Sequence, residues 1–89
     1  MAILFTSEFQ QKLKEIKRYR PKLFQKIEKQ LFTFSQNSHH PSLRTHKLRG
    51  DLNNAWSISI TSDYRALYYV SEENYVFFAL GTHDEVYRN

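Results

Sequence analysis

The sequence predicts an α+β fold with an N-terminal strand, an antiparallel helical hairpin and then three antiparallel strands, with both helices packed on one face of a single sheet. The apolar residues recur at helical spacing between positions 7 and 34 and alternate with polar residues from Trp56 onward. The connections between the predicted elements are short, which makes consecutive strands antiparallel neighbours. Because 89 residues are too few to divide into separate cores, we expect one domain spanning residues 1–89.

The N-terminal part of the chain predicts a short strand followed by a helix. The run Ala2–Phe5 is apolar, and the tetrapeptide that starts at Ser7 and ends at Gln10 fits a capping box, with Ser7 as the N-cap. The apolar stripe of this helix is formed by Phe9, Leu13 and Ile16. We therefore expect this stripe to face the core.

A second helix is predicted from Pro21. Proline disfavours helical geometry at Arg20 before it, but it suits the first position of a new helix. The apolar stripe of the second helix consists of Phe24, Ile27, Leu31 and Phe34. Since the break between the helices is short, they are expected to form an antiparallel hairpin that ends in a loop over residues 35–41.

The C-terminal half predicts three strands. Residues 56–61 alternate between large apolar side chains and hydroxyls, so Ser57, Ser59 and Thr61 are expected to face away from the core. Residues 64–70 and 75–80 form the next two predicted strands, joined by a polar turn at 71–74. In the middle strand, Arg65 and Leu67 are expected on the sheet face opposite the helices, which is left open. Residues 44–54 are predicted to be extended, with a turn at Gly50.

The composition excludes several classes of protein. The absence of Cys excludes a disulfide framework and thiolate metal sites, and it favours a cytoplasmic location. The apolar run at residues 2–5 is far too short for a signal peptide or a membrane span, so no membrane partner is expected.

The positive charge is concentrated in the predicted helices. Residues 10–30 contain eight Lys or Arg against two Glu, a net charge of +6, whereas the whole chain carries +4. This asymmetry indicates a polyanionic partner, although a helical pair with solvated basic outer faces would give the same pattern.

The polar residues of the C-terminal half suit RNA backbone cleavage. Attack of a 2′-hydroxyl on the adjacent phosphate needs a proton acceptor, a proton donor and a cation near the phosphorane. The residues of those types are His46, Asp63, Arg65, His83 and Tyr87, the last as a base-stacking group. No metal or cofactor is expected, since the four His residues lack the helical i, i+4 spacing of a metal site. By spacing alone, each of these residues could equally be an ordinary surface or turn residue.

Several motifs together resemble the scaffold of the RelE/ParE superfamily of bacterial toxins. These are Lys47-Leu48-Arg49-Gly50, Trp56-Ser57, the run from Asp63 to Tyr69, and Gly81-Thr82-His83. The resemblance covers nearly the whole chain. The segments at His46–Gly50, Asp63 and Gly81–His83 are most similar to the YafQ branch, whereas Trp56-Ser57 and Tyr64-Arg65 also resemble RelE and YoeB.

This resemblance implies a toxin of a type II toxin-antitoxin system that acts as a ribosome-dependent mRNA endoribonuclease and forms a hetero-oligomer with a cognate antitoxin. It assigns catalytic roles to His46, Asp63 and His83, phosphate contact to Arg65, and the C-terminal aromatic to Tyr87. Contacts to ribosomal RNA and mRNA are expected from Lys12, Lys17, Arg18, Lys22, Lys26, Lys47 and Arg49.

One departure from the YafQ pattern leaves other functions open. Ser59 stands where YafQ-like enzymes have a further His, so Ser57 and Ser59 leave the phosphate less well neutralised. A ParE-like toxin that inhibits gyrase by binding, and a cleavage-incompetent binding module, are the alternatives. ParE-like members usually lack the His, Asp, Arg and Tyr set, which favours the endoribonuclease.

Overall fold

A computed structural model describes residues 1–49 and 54–87, and it confirms the predicted α+β class. The turn predicted at Gly50 lies outside the described residues. The strands are β1 (Ile3–Phe5), β2 (His46–Lys47), β3 (Trp56–Ser59), β4 (Tyr64–Ser71) and β5 (Asn74–Thr82). The helices are α1 (Ser7–Tyr19), α2 (Pro21–Gln36), α3 (His83–Tyr87) and a short 3₁₀ helix at Pro41–Leu43. In this part of the chain, no helix has the length and apolar character of a membrane span.

The described strands form one sheet in the order β1-β5-β4-β3-β2. The three predicted strands β3, β4 and β5 are antiparallel neighbours, as expected. Two features were not predicted: β1 pairs in parallel with β5, and β2 adds an antiparallel edge strand beside β3. Both involve short strands, and the partner of β1 is distant in sequence.

The start of α1 differs from the prediction by one residue. Thr6, and not Ser7, is the N-cap: its backbone is extended, with φ −66° and ψ 161°, and its side-chain oxygen accepts a hydrogen bond of 3.2 Å from the amide of Phe9. Ser7 already has helical geometry, so it cannot cap the helix. The predicted helix boundary at Pro21 is confirmed, because α1 ends at Tyr19, with Arg20 as its C-cap, and Pro21 opens α2.

The buried face of α2 is rotated relative to the predicted stripe. Its buried residues are Leu23, Ile27, Gln30 and Phe34. The predicted core residues Phe24 and Leu31 are only partly buried beside this face. Gln30 is buried because its Nε2 atom donates hydrogen bonds to the carbonyl oxygens of Ser59, at 2.8 Å, and Ser42, at 3.2 Å. A polar residue therefore belongs to the core-facing stripe.

An aromatic cluster holds the helices on the sheet. The ring of Phe34 makes edge-to-face contacts with Tyr68, Tyr75 and Phe77, with centroids 4.8 to 5.2 Å apart. Burial raises the pKa of Tyr68 to about 12, and Tyr75 adds to the shift. The predicted core residues Phe9, Ile16, Ile58 and Ile60 are buried in the same cluster, with Leu13 and Trp56 partly buried against it.

A smaller apolar cluster lies on the opposite face of the sheet. It consists of Leu48, Ala55 and Leu67, and the partly buried residues Val86 and Tyr87 of α3 pack against it. The sequence predicted that this face of the sheet is uncovered, and it did not predict α3. A Cβ atom at Gly81 would lie 2.9 Å from Oε1 and 3.1 Å from Cβ of Glu85, so the glycine lets α3 lie close to the sheet.

We expect Ile27→Ala to lower the free energy of unfolding by about 2 to 5 kcal/mol, because it opens a cavity at a fully buried position. Phe32→Ala is the matched control on the same helix, since Phe32 is 66% exposed and its loss should change stability by less than about 1 kcal/mol. Urea unfolding measures both values. Equal losses in the two variants would show that the described orientation of α2 is wrong.

Candidate active site on the open sheet face

The register of the sheet brings polar residues from three strands onto the face opposite α1 and α2, here called the open face. One cross-strand row contains His46, Ser57, Leu67 and Ala79, and the next contains Ser59, Arg65 and Gly81. Directly paired residues in antiparallel strands point to the same side of a sheet. The predicted placement of Arg65 and Leu67 away from the helices is therefore confirmed.

The Arg65 guanidinium is held in place from one side. Its Nη1 atom donates hydrogen bonds to Oγ of Ser59, at 2.8 Å, and to the carbonyl oxygen of Thr61, at 2.9 Å. The Ser59 hydroxyl in turn donates to the carbonyl oxygen of Thr61 at 2.9 Å. Among the described residues these are the only hydrogen bonds of the guanidinium, so Nε and Nη2 are available to an anion.

The departure of Ser59 from the YafQ pattern thus has a structural consequence. A small hydroxyl at this position reaches the Arg65 guanidinium and orients it, and the Ser59 carbonyl oxygen is fixed by Gln30. Ser59, which lies opposite Arg65 in the paired strand, is therefore a hydrogen-bond acceptor for the guanidinium and adds no positive charge of its own.

His83 and Tyr87 lie on α3, where they are one helical turn apart. Their rings are in edge-to-face contact with centroids 4.3 Å apart, and Tyr87 packs against the apolar cluster around Leu67. The side chain of His83 is 58% exposed, and its Nδ1 atom is 3.8 Å from Oδ1 of Asp84. This arrangement leaves the imidazole accessible while its ring is supported by Tyr87.

A reciprocal pair of hydrogen bonds fixes the start of α3. Oε1 of Glu85 accepts from the amide of Thr82 at 2.8 Å, and Oγ1 of Thr82 accepts from the amide of Glu85 at 3.3 Å. The hydrogen bond from the Thr82 amide lowers the pKa of the Glu85 carboxyl, and the Thr82 side chain and the nearby Lys12 and Arg20 act in the same direction. Glu85 therefore helps to position His83 and Tyr87.

Asp63 lies at the same end of the sheet, but its carboxylate has different surroundings. Its main-chain oxygen accepts a hydrogen bond of 2.8 Å from the amide of His83. The turn itself is held by Oγ1 of Thr61, which accepts from the amides of Asp63 and Tyr64. Asp63 lines a cavity on the helix side of the sheet, together with Tyr64 and Lys22.

The predicted site residues do not all lie on the open face. His46, Arg65, His83 and Tyr87 share the open face, and the strand spacing puts the Cα atoms of His46 and Arg65 about 12 Å apart. Lys47 does not share that face, because its Nζ atom is 5.8 Å from the ring centroid of Trp56, which packs toward the helices. Arg49 is exposed just after β2.

The basic residues predicted to bind RNA lie along both helices. Lys12, Lys17 and Arg18 belong to α1, and Lys22 and Lys26 belong to α2. Lys17 contacts Phe24, with its Nζ atom 5.6 Å from the ring centroid. Among the described residues, none of these lysines and arginines forms a salt bridge with a carboxylate of the protein.

Two residues that support the site were missed by the sequence analysis. Glu85 could have been found, because Thr82-His83-Asp84-Glu85 has the spacing of a capping box. The sequence around Gln30 gave no such signal, since a single polar residue among apolar residues indicates the edge of the apolar stripe of a helix. Among the described residues, no three His, Asp or Glu side chains are grouped closely enough to hold a metal ion.

Comparison with known families identifies the chain. Residues 1–88 match the model of the family described as "Bacterial toxin of type II toxin-antitoxin system, YafQ". The chain belongs to the YafQ toxin family. The YafQ branch proposed from the motifs is thereby confirmed. No curated protein sequence matches this chain significantly.

Solved structures show the same fold. The "YoeB/ParE toxin from Agrobacterium tumefaciens" is 20% identical with a TM-score of 0.79, covering 93% of this chain and 99% of that one. YafQ from E. coli strain BL21(DE3) is 20% identical with a TM-score of 0.75, covering 96% of each chain. The E. coli DinJ-YafQ toxin-antitoxin complex contains a chain that is 20% identical with a TM-score of 0.73, covering 96% of this YafQ family member and 94% of that chain.

We expect the order of α3 to depend on pH through Glu85. Its carboxyl pKa is lower in the folded than in the unfolded protein, so its stabilising effect is present above the unfolded pKa and is lost as the pH falls through the folded pKa. NMR resonances of residues 83–87 should therefore show an acid transition that Glu85→Gln removes. Asp84→Asn is the control, because the Asp84 side chain is 88% exposed. A transition that persists in Glu85→Gln would contradict this role.

Proposed function

We propose that this YafQ family toxin is a ribosome-dependent mRNA endoribonuclease that inhibits translation by metal-independent acid and base catalysis. The observation that carries the proposal is the presence of His46, Arg65, His83 and Tyr87 on one accessible sheet face. The reaction joins the 2′-oxygen to phosphorus, breaks the bond between phosphorus and the 5′-oxygen, and leaves a 2′,3′-cyclic phosphate and a 5′-hydroxyl.

Each of these residues has a role that fits its surroundings. His83 protonates the departing 5′-oxygen, and His46 accepts the 2′-hydroxyl proton, since an imidazole can fill either role near neutral pH. Asp63 is the other candidate base, but it lines a cavity on the helix side of the sheet, which favours His46. Tyr87 orients His83 through their ring contact and offers a face for an unpaired base.

Arg65 stabilises the negative charge on the phosphorane. Its contacts with Ser59 and Thr61 hold the guanidinium before substrate binds, so little conformational entropy is lost when Nε and Nη2 contact the phosphate. YafQ-like enzymes have a histidine at position 59, and here serine supplies no such charge. The fixed position of the Arg65 guanidinium compensates in part for this missing positive charge.

The basic helices provide the contact with the ribosome. Lys12, Lys17 and Arg18 on α1, with Lys22 and Lys26 on α2, form a positive surface that suits structured ribosomal RNA, which is recognised largely through its backbone. Lys47 and Arg49 extend the positive charge near β2. This interaction should weaken as the salt concentration rises.

We expect His83→Ala to reduce the single-turnover rate of ribosome-bound mRNA cleavage by about 10² to 10⁴-fold, because general acid catalysis typically contributes that much. Ribosome binding should remain, and a chelator should leave the wild-type rate unchanged. His39→Ala is the matched control, since His39 is exposed in a loop beyond α2. Equal rates for wild type and His83→Ala, or a metal requirement, would overturn the mechanism and favour a toxin that acts by binding alone.

A cognate antitoxin is the proposed protein partner. The DinJ-YafQ toxin-antitoxin complex supports this, and so do exposed apolar side chains on the sheet, Leu4 at 45% and Tyr69 at 37% exposure. An antitoxin segment that covers the open face would keep the catalytic groups from mRNA.

Expression of the toxin alone should arrest growth, and co-expression of the protein encoded beside it should restore growth and raise the melting temperature of the toxin. His83→Ala should lose toxicity but keep the stabilisation by its partner, which separates antitoxin binding from catalysis. If the neighbouring protein neither restores growth nor stabilises the toxin, it is not the antitoxin.

A further inference from the structure

The end of β3 extends past the strand that could pair with its outer side. The amide of Ile60 donates to the carbonyl oxygen of Tyr64 at 2.9 Å, so these two residues form a hydrogen-bonded pair. Such pairs alternate along an antiparallel ladder, which makes Ser59 and Arg65 a non-hydrogen-bonded pair whose backbone groups point away from each other. On the outer side of β3, β2 reaches only as far as Ser57. The Ser59 carbonyl oxygen therefore has no partner among the described strands.

The side chain of Gln30 takes the place of the missing strand. Its Nε2 atom donates to the Ser59 carbonyl oxygen at 2.8 Å and to the Ser42 carbonyl oxygen at 3.2 Å. Both hydrogens of this amide group are thus used on main-chain acceptors. Gln30 is only 9% exposed, so loss of its amide would leave the Ser59 carbonyl oxygen buried without a donor. Gln30 therefore fixes the backbone at the end of β3.

The same short stretch of backbone carries both acceptors of the Arg65 guanidinium. Nη1 of Arg65 donates to Oγ of Ser59 at 2.8 Å and to the carbonyl oxygen of Thr61 at 2.9 Å. The Ser59 hydroxyl also donates to the Thr61 carbonyl oxygen at 2.9 Å, so the two acceptors are joined to each other. The direction of the guanidinium thus depends on where the backbone of residues 59–61 lies.

We propose that Gln30 is a positioning residue for the guanidinium of Arg65. It acts from the helix side of the sheet, by fixing the Ser59 carbonyl oxygen, while the Ser59 side chain holds Nη1 on the open face. Without Gln30 the end of β3 can shift, and Nε and Nη2 then lose the direction in which they meet a phosphate. This assignment rests on the proposed function for the role of Arg65 in cleavage, and on the hydrogen bonds alone for the orientation of the guanidinium.

NMR of the Arg65 guanidinium tests the proposal without RNA or ribosomes. Because the hydrogen bonds involve Nη1 alone, they hinder rotation about the Nε–Cζ bond, so the wild-type protein should give separate Nη1 and Nη2 resonances. Gln30→Met keeps an unbranched side chain but has no donor, and it should merge the two resonances. Ile27→Ala is the matched control on the same face of α2, since it opens a cavity without removing a hydrogen bond to Ser59, and it should keep the resonances separate.

Hydrogen exchange in the wild-type protein gives a second measurement that needs no variant. The side-chain amide of Gln30 should exchange at least about tenfold more slowly than that of Gln25, which is exposed on the same helix. Equal exchange rates for the two side-chain amides would overturn the proposal, even if Gln30→Met does not fold.

Single-turnover cleavage of ribosome-bound mRNA tests whether Gln30 acts through Arg65. Gln30→Met should lower the rate by about 10 to 10²-fold, as a misplaced catalytic group does, while ribosome affinity changes less than about twofold because the basic side chains are intact. In protein that already carries Arg65→Ala, Gln30→Met should change the rate less than about twofold, because the group that it positions is gone. A loss of the same size in both backgrounds would indicate a general structural role and overturn the proposal.

The NMR and cleavage measurements together separate the positioning role from the proposed function. If Gln30→Met keeps separate Nη1 and Nη2 resonances while Arg65→Ala abolishes cleavage, the positioning role fails and the proposed function stands. If Gln30→Met merges the resonances but Arg65→Ala cleaves mRNA at the wild-type rate, the role of Arg65 in cleavage fails and the positioning of its guanidinium by Gln30 remains.

Discussion

The buried side-chain amide of Gln30 joins the basic helices to the strand that carries the candidate site. A buried amide without partners would be costly, but Nε2 of Gln30 donates to the carbonyl oxygens of Ser42 and Ser59. These bonds fix α2 against the 3₁₀ helix and the end of β3. The Ser59 hydroxyl in turn orients Arg65. Ser59 therefore connects Gln30 in the helix-side core with the Arg65 guanidinium on the opposite sheet face.

The two faces of the sheet have different constraints. On the helix side, the ring of Phe34 packs edge to face on three aromatic side chains, so that face is covered by closely packed side chains. The open face has only a small apolar cluster, and α3 covers part of it because Gly81 leaves room for Glu85. The unclosed part of that face is where His46 and Arg65 meet solvent, so the limited apolar packing there is what keeps the polar groups accessible.

The distribution of charge follows the same division. The helices place their apolar stripes inward and leave their cations without internal ion pairs in the described residues, which costs some self-repulsion. A bound polyanion would offset that cost, and the proposed RNA binding would then depend on salt. The positive charge and the candidate catalytic groups meet at the turn between β3 and β4, where Thr61 contacts both the Arg65 guanidinium and the amide of Asp63.

The sequence by itself determined the features that depend on neighbouring residues. The break at Pro21, the apolar stripe of α1, the alternation after Trp56 and the side of β4 that carries Arg65 all follow from local geometry and a fixed periodicity. The motifs also identified the family, because they recur at characteristic spacings along the chain.

Only the tertiary structure decided the rest. The parallel pairing of β1 with β5 depends on contacts between distant parts of the chain, which periodicity does not encode, and the two-residue edge strand β2 is too short to show a periodicity. The same is true of Ser59, which reads as a lost histidine in the sequence but holds Arg65 in the fold. Asp63 lies in a turn, where no strand periodicity fixes the direction of its side chain, and only the fold places this residue at a cavity that Lys22 and Lys26 of α2 also line.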